Sequence, residues 1–136
     1  MPANDPLQDA KRQQTLKRLK ILDTPEEPIY FDAVLLAAKL CNVSAAAIGF
    51  PDGEREWFKS QVALELTEVP RTSSFGHAAT TLGEPLRVGD APADPRFSTS
   101  PLVSGKTRFR SCLAVPVWAD GIAIGALEVF SALPEA

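Results

Sequence analysis

The sequence is poor in the residues that build metal and disulfide sites. It has 1 histidine and 2 cysteines in 136 residues. Cys41 and Cys112 stand far apart, which excludes a disulfide framework and any CxxC or zinc-finger pattern. His77 has no cysteine or carboxylate clustered beside it, so it forms no metal site, and a hydrogen-bonded structural histidine is the simplest reading. Basic residues are also scarce: 14 Lys and Arg against 17 Asp and Glu give a net charge of -3. Neither half of the chain has the basic excess of a nucleic-acid binder. No apolar run approaches the roughly 20 residues of a membrane helix. The polar first 20 residues do not read as a secretory signal. Walker, dinucleotide-binding, nucleophile-elbow and paired-histidine motifs are all missing. The expectation is a soluble, cytoplasmic, non-enzymatic protein with no metal and no nucleic-acid or membrane partner.

What remains is enough for one domain spanning residues 1–136. A chain that is 45% hydrophobic at this length supports a single core. Its 12 prolines predict short, well-punctuated elements. Residues 1–6 read as a loose arm and 7–22 as a polar helix with a thin apolar stripe of Leu16, Leu19 and Ile21/Leu22. Such a helix packs lightly on its own domain or pairs with a partner, which predicts a homodimer through the N-terminal helices. Thr24 is placed as an N-cap with Pro25 at the first helical position. Ile29, Ala33, Leu36 and Leu40 fall at helical spacing, widened by Val34, Ala37 and Cys41, and are expected to face the core. Cys41 is then a core thiol, and neither cysteine is expected to be redox-active.

Residues 43–50 and 54–61 read as strands around a Pro51-Asp52-Gly53 turn, with Trp57 and Phe58 on opposite faces. Residues 64–71 read as a crossing loop. Ser73 or Ser74 caps a helix that runs to about Leu82 and is stopped by Gly83. A brief strand at 86–88 and a loop with at most one helical turn at 90–105 follow. Residues 109–117 and 122–130 are the strongest strands, joined by the hairpin signal Asp120-Gly121. These strands are apolar on both parities, Phe109, Leu113, Val115 and Val117 on one side and Cys112, Ala114, Pro116 and Trp118 on the other. Both sheet faces must therefore be covered. The predicted fold is α+β: a central antiparallel sheet of five or six strands, N-terminal helices on one face, and a short helix and loops over a pocket on the other. Glu128 interrupts an otherwise uncharged strand. It is either paired with Arg108 or Arg110 or presented to a ligand in the covered space.

Ser111-Cys112-Leu113-Ala114-Val115-Pro116-Val117, the Asp120-Gly121 turn and Ile124-Gly125-Ala126-Leu127-Glu128 resemble the C-terminal hairpin of GAF domains. The 90–97 loop resembles the middle loop of that family. Leu19 to Pro25 and Glu56-Trp57-Phe58-Lys59-Ser60 resemble the subgroup found ahead of bacterial histidine kinases and diguanylate cyclases. The resemblance covers residues 7–131 and implies a small-molecule-sensing regulatory domain, dimeric through its terminal helices and linked to such an output domain. The subgroup often reads Ser-Phe-Cys-x-His where this chain has Ser74-Phe75-Gly76-His77-Ala78, so covalent bilin attachment is disfavoured. Gly76 to Thr81 resembles the Gly-His-x-Ala stretch of cyclic-nucleotide-binding members. Phe109 stands where those members have a polar residue and their Asn-Lys…Asp signature is missing, so a cyclic nucleotide stays open but not favoured. Carried over by position, the pocket residues implied are Ser74, Phe75, His77, Ser104, Phe109 and Glu128. No cofactor is implied, and the ligand is unidentified. Ordering of residues 90–108 on binding would bias the terminal helices. The alternative is a dimerisation or interaction module whose cavity has collapsed.

Overall fold

Proline and glycine set most of the element boundaries in the computed structural model, which describes residues 6–134. The helices are α1 (Pro6–Leu19), α2 (Pro28–Leu40), α3 (Phe75–Leu82) and α4 (Pro101–Ser104). The strands are β1 (Ala45–Asp52), β2 (Arg55–Val62), β3 (Glu68–Pro70), β4 (Leu86–Val88), β5 (Ser111–Ala119) and β6 (Ile122–Ser131). They form one antiparallel sheet of order β3-β2-β1-β6-β5-β4. The α+β arrangement is the one predicted. The sixth strand, β3, lies inside the segment read as a crossing loop. Of the expected loose arm, residues 1–5 lie outside the described residues, and Pro6 already opens α1.

The sheet separates two cores. Val34 and Ala38 of α2 and Leu16 of α1 pack with Ile48, Phe50, Trp57, Ile122 and Ile124 on one face. Phe75 and Ala79 of α3 pack with Phe58, Phe97, Leu102, Phe109, Cys112 and Phe130 on the other. Trp57 and Phe58 thus fall on opposite faces, as strand alternation requires. Phe109 does not share a face with Leu113 and Val117 as expected. It precedes β5, follows Arg108 at φ +52°, and packs with Cys112 and Phe130 instead.

The N-terminal helices depart from the sequence reading in three ways. Helix α1 stops at Leu19, because Lys20 and Asp23 both take φ +55° and break the helical path. Helix α2 starts at Pro28 rather than Pro25. A proline pushes its predecessor out of the helical region, and Glu27 is extended at φ -124°, ψ 143°. A helix begun at Pro25 could not pass that point. Thr24 instead bonds the Ile21 carbonyl and accepts a 2.6 Å bond from Lys59 Nζ. The third departure is the face that α2 buries. The sheet side takes Val34 and Ala38, whereas Ile29, Leu36 and Leu40 are 74%, 56% and 77% exposed, and Ala33 and Cys41 are exposed too. Apolar residues surround this helix, so periodicity alone offers two stripes. The one with the smaller side chains lets the helix come closest to the sheet.

Helix α1 seals the end of the sheet where β1 and β6 part. Those strands pair only as far as Gly49 and Ala126. Beyond that point Arg12 Nε donates to the Ala123 carbonyl at 2.7 Å, and Gln13 Nε2 donates to the Pro51 carbonyl at 2.9 Å. No helix among the described residues is long and apolar enough to cross a membrane.

Candidate functional site

Two glutamates lie fully buried on the α3 side of the sheet, Glu56 from β2 and Glu128 from β6. Strand β1 runs between their strands, so two side chains about 10 Å apart at the backbone must reach across it. They can because β1 has Gly49 at that level. A Cβ there would collide with the Glu56 carboxyl. Glu128 is flanked in register by Ala47 and Ala114, which leave the space above the sheet open for its carboxyl.

Helix α3 closes the site from above. Ser74 is its N-cap: its Oγ accepts the His77 N–H at 2.9 Å and donates to Glu56 Oε1 at 2.6 Å. The first turn then passes directly over the carboxyls at Gly76. A Cβ on Gly76 would collide with Glu56 and lie 2.6 Å from Glu128 Oε2. The cysteine that the family subgroup often has at this position would not fit over this pair.

No N–H or hydroxyl among the described residues is at hydrogen-bond geometry to Glu56 Oε2 or to either oxygen of Glu128. The two carboxyls approach each other closely enough to hydrogen-bond, which requires a proton on one of them. Burial pushes both carboxyls above the ordinary range, Glu128 furthest because the Glu56 charge and hydrogen bond add to it. Glu56 is held back toward ionisation by its hydrogen bonds from Glu128 and Ser74 and by the nearby Gly76 N–H. Of the two, Glu128 is pushed further toward its protonated form.

The ion pair with Arg108 or Arg110, one of the two readings of Glu128, is not formed. Arg110 reaches Asp90 at 3.5 Å instead, and Arg108, which is exposed, sits in the left-handed turn before β5. The other residues named from sequence divide. Ser74 and Glu128 meet at the pair. Phe75 stacks on Phe97 with ring centres 4.4 Å apart and meets Phe130 edge-on at 5.9 Å, while Phe109 stacks on Phe130 at 5.2 Å. His77 points to the other side of α3, where its Nε2 accepts a 3.1 Å bond from Arg71 Nε. Burial and the cations Arg71 and Arg12 lower its pKa to about 4, so it is neutral. Ser104 is exposed and bonds the Ser100 carbonyl of its own turn. Glu56 was not singled out from the sequence. The signal was there: it shares strand parity with Phe58, which faces the α3 core.

Polar contacts continue outward from the pair. Ser74 holds the start of α3, His77 is bonded to Arg71, and Arg71 Nη1 lies 3.9 Å from Asp9, which also takes a 3.1 Å bond from Arg12. The α3 N-terminus is thereby linked to α1 on the opposite face. Two surface clefts, of about 430 and 460 Å³, open near α1 and near β3, and none of the six residues named from sequence lines either. Among the described residues no three His, Cys or carboxylate side chains converge as a metal site needs.

Cys112 lies in the same core, and its thiol is pushed well above its ordinary value by burial and then by Glu128 and Glu56. Cys41 is exposed. Iodoacetamide on the native protein is therefore expected to modify Cys41 alone, with Cys112 reacting only after denaturation. Peptide mapping that finds native-state modification at Cys112 would contradict this burial.

A six-stranded antiparallel sheet covered by helices on both faces defines the fold as α+β. The chain belongs to the GAF family, whose domain model matches residues 25–136. It is 28% identical over 130 residues to a cyclic di-GMP phosphodiesterase of Pseudomonas aeruginosa. That match takes in 95% of this chain but spans only 22% of the phosphodiesterase's length. Among solved structures, the GAF domain of an Acinetobacter phosphoenolpyruvate-protein phosphotransferase superposes with a TM-score of 0.64 at 15% identity, covering 97% of this chain and 81% of that one. A free methionine-R-sulfoxide reductase of Neisseria meningitidis in complex with its substrate gives 0.62 at 19% identity, covering 77% and 62%. At these identities the structural likeness shows the fold alone.

Proposed function

We propose that the chain is a small-molecule-sensing, non-enzymatic domain of bacterial signal transduction that biases an attached output domain, such as a histidine kinase or an enzyme of cyclic di-GMP turnover. The observation carrying this reading is the buried carboxyl pair at the N-terminus of α3, three of whose four oxygens lack a donor among the described residues. A ligand offering hydrogen-bond donors would replace the pair's proton and ionise both groups. The pair opposes an anionic ligand, which argues against a cyclic nucleotide phosphate seated there, and Gly76 offers no thiol for a covalent bilin. Cys112 is held protonated, which argues against thiol catalysis. Native mass spectrometry of freshly purified protein and thermal shifts against a metabolite library test the reading. A bound compound whose shift is lost in Glu128→Gln supports it. Neither an adduct nor any shift would overturn it.

The packing of Phe75, Phe97, Phe109 and Phe130 favours a second reading, an interaction module whose interior is filled. A negative ligand screen decides for it.

A further inference from the structure

Three oxygens of the carboxyl pair, Glu56 Oε2 and both of Glu128, are buried and have no donor among the described residues. The fourth, Glu56 Oε1, accepts from Ser74 Oγ at 2.6 Å. A primary ammonium group carries three N–H donors and one positive charge. Its donors match the unfilled oxygens in number, and its charge sets it apart from other donors. The pair is held together by a proton on one of its members. Exchanging that proton for a cation leaves the charge of the buried site unchanged. A neutral donor, an alcohol or an amide, would leave two uncompensated carboxylates there, which burial makes costly. The head group must also be compact. At both Gly49 and Gly76 the backbone runs so close that a Cβ would collide with the Glu56 carboxyl. Such tight walls favour –NH3+ over a guanidinium or a quaternary ammonium. Beside the pair stand Phe75, next to Gly76 on α3, and Phe130, two residues from Glu128 on the same face of β6. Their ring centres are 5.9 Å apart. Aromatic faces attract a cation and pack an apolar chain.

We propose that the pair binds the ammonium group of a small primary amine with an apolar remainder, and gives up its own proton to solvent. This rests on the sensing reading above and names its ligand class. One cation enters and one proton leaves, so the charge balances. Because a proton is released for each amine bound, affinity is expected to rise with pH, up to about tenfold per unit. The neighbouring titratable groups stay constant between pH 7 and 8. Cys112 of β5 is held protonated by burial and by both carboxyls, and His77 of α3, bonded to Arg71, is neutral above about 4.

Isothermal titration calorimetry on the full chain tests it. The probes are butylamine and phenethylamine, set against the alcohols and trimethylammonium derivatives of the same chains. Each is taken to about 10 mM, because ligands of so few atoms bind weakly. Only the amines are expected to bind, more tightly at pH 8 than at pH 7. Their heat is expected to differ between phosphate and Tris buffers, as a released proton requires. Glu128→Gln is expected to weaken them at least tenfold while keeping the circular dichroism spectrum of the parent. An alcohol or trimethylammonium probe that binds as tightly as its amine, binding without proton release, or an unchanged affinity in Glu128→Gln would each overturn the proposal. So would the failure of both amines to bind, and the thermal-shift screen then separates the two readings. Glu128-dependent shifts with other compounds would leave sensing in place, and no shift at all would remove it too.

Discussion

Replacing Glu128 with glutamine is expected to flatten the fall in stability that the parent shows as pH rises above the ordinary carboxylate range, a fall read between pH 7 and 8. The sign follows from where the proton sits. In the folded chain burial raises both carboxyls above their ordinary value of 4.5, so the pair holds a proton that the unfolded chain has released. The stabilisation this gives is fully present below the ordinary carboxylate range and is lost as pH rises through the folded values. While the proton is retained, each pH unit costs about 1.4 kcal/mol. Glutamine removes one titrating group and offers Glu56 an N–H donor in place of that proton. His77 works in the opposite direction, because its lowered pKa gives stability above 6.5 that is lost as pH falls toward 4. Cys112, raised from 9.0, steepens the loss only at higher pH. The window from 7 to 8 therefore isolates the carboxyl pair. Chemical denaturation of both proteins at the two pH values checks it. A loss of about 3–5 kcal/mol in the variant at pH 7 would mean that Glu128 holds a buried cation after all.

Gly76→Ala is expected to destabilise the protein by about 2 kcal/mol, as overpacking at a tight contact does. The added methyl would occupy the place of the Glu56 carboxyl and press on that of Glu128. Glu56 cannot move aside without losing its 2.6 Å bond from Ser74. The informative measurement is the double-mutant cycle. In a Glu56→Ala background the obstructing group is gone, and the same glycine change is expected to cost about 1 kcal/mol or less, a coupling on the scale seen for residues in contact. Equal costs in both backgrounds would show that Gly76 is needed for something other than room above the carboxyl.

How far the sequence could be read depended on whether one physical signal acted alone. The hairpin of β5 and β6 was legible because Asp120 and Gly121 both take positive φ, at +52° and +76°, which is what that dipeptide is suited to. Helix α3 was legible because Ser74 and Gly83 mark its two ends. Helix α2 was misread because two signals competed at each point. Pro25 and Pro28 can both open a helix, and only the extended residue imposed before Pro28 decides between them. Its two apolar stripes are equivalent by period, and only closeness to the sheet decides which goes in. At the site, Glu128 stood out as the one charge in a long apolar strand. Glu56 did not, since it sits two residues past a turn in a charged stretch, Glu54-Arg55-Glu56. That the two meet depends on Gly49 and Gly76 lying on other elements, a relation between distant glycines that local pattern does not carry.

The bonds from Arg12 and Gln13 to the Ala123 and Pro51 carbonyls have a consequence for how the molecule opens. Lifting α1 would leave both acceptors, at the parted end of β1 and β6, without their partners, at a penalty of about 1–3 kcal/mol for each one that stays buried. Helix α1 and that end of the sheet should then exchange their amide protons together, as one cooperative unit, rather than fraying residue by residue from the terminus. The first helix of this chain is therefore a keystone, seated across two strands at the end where their own pairing has stopped, and one of those strands carries Glu128.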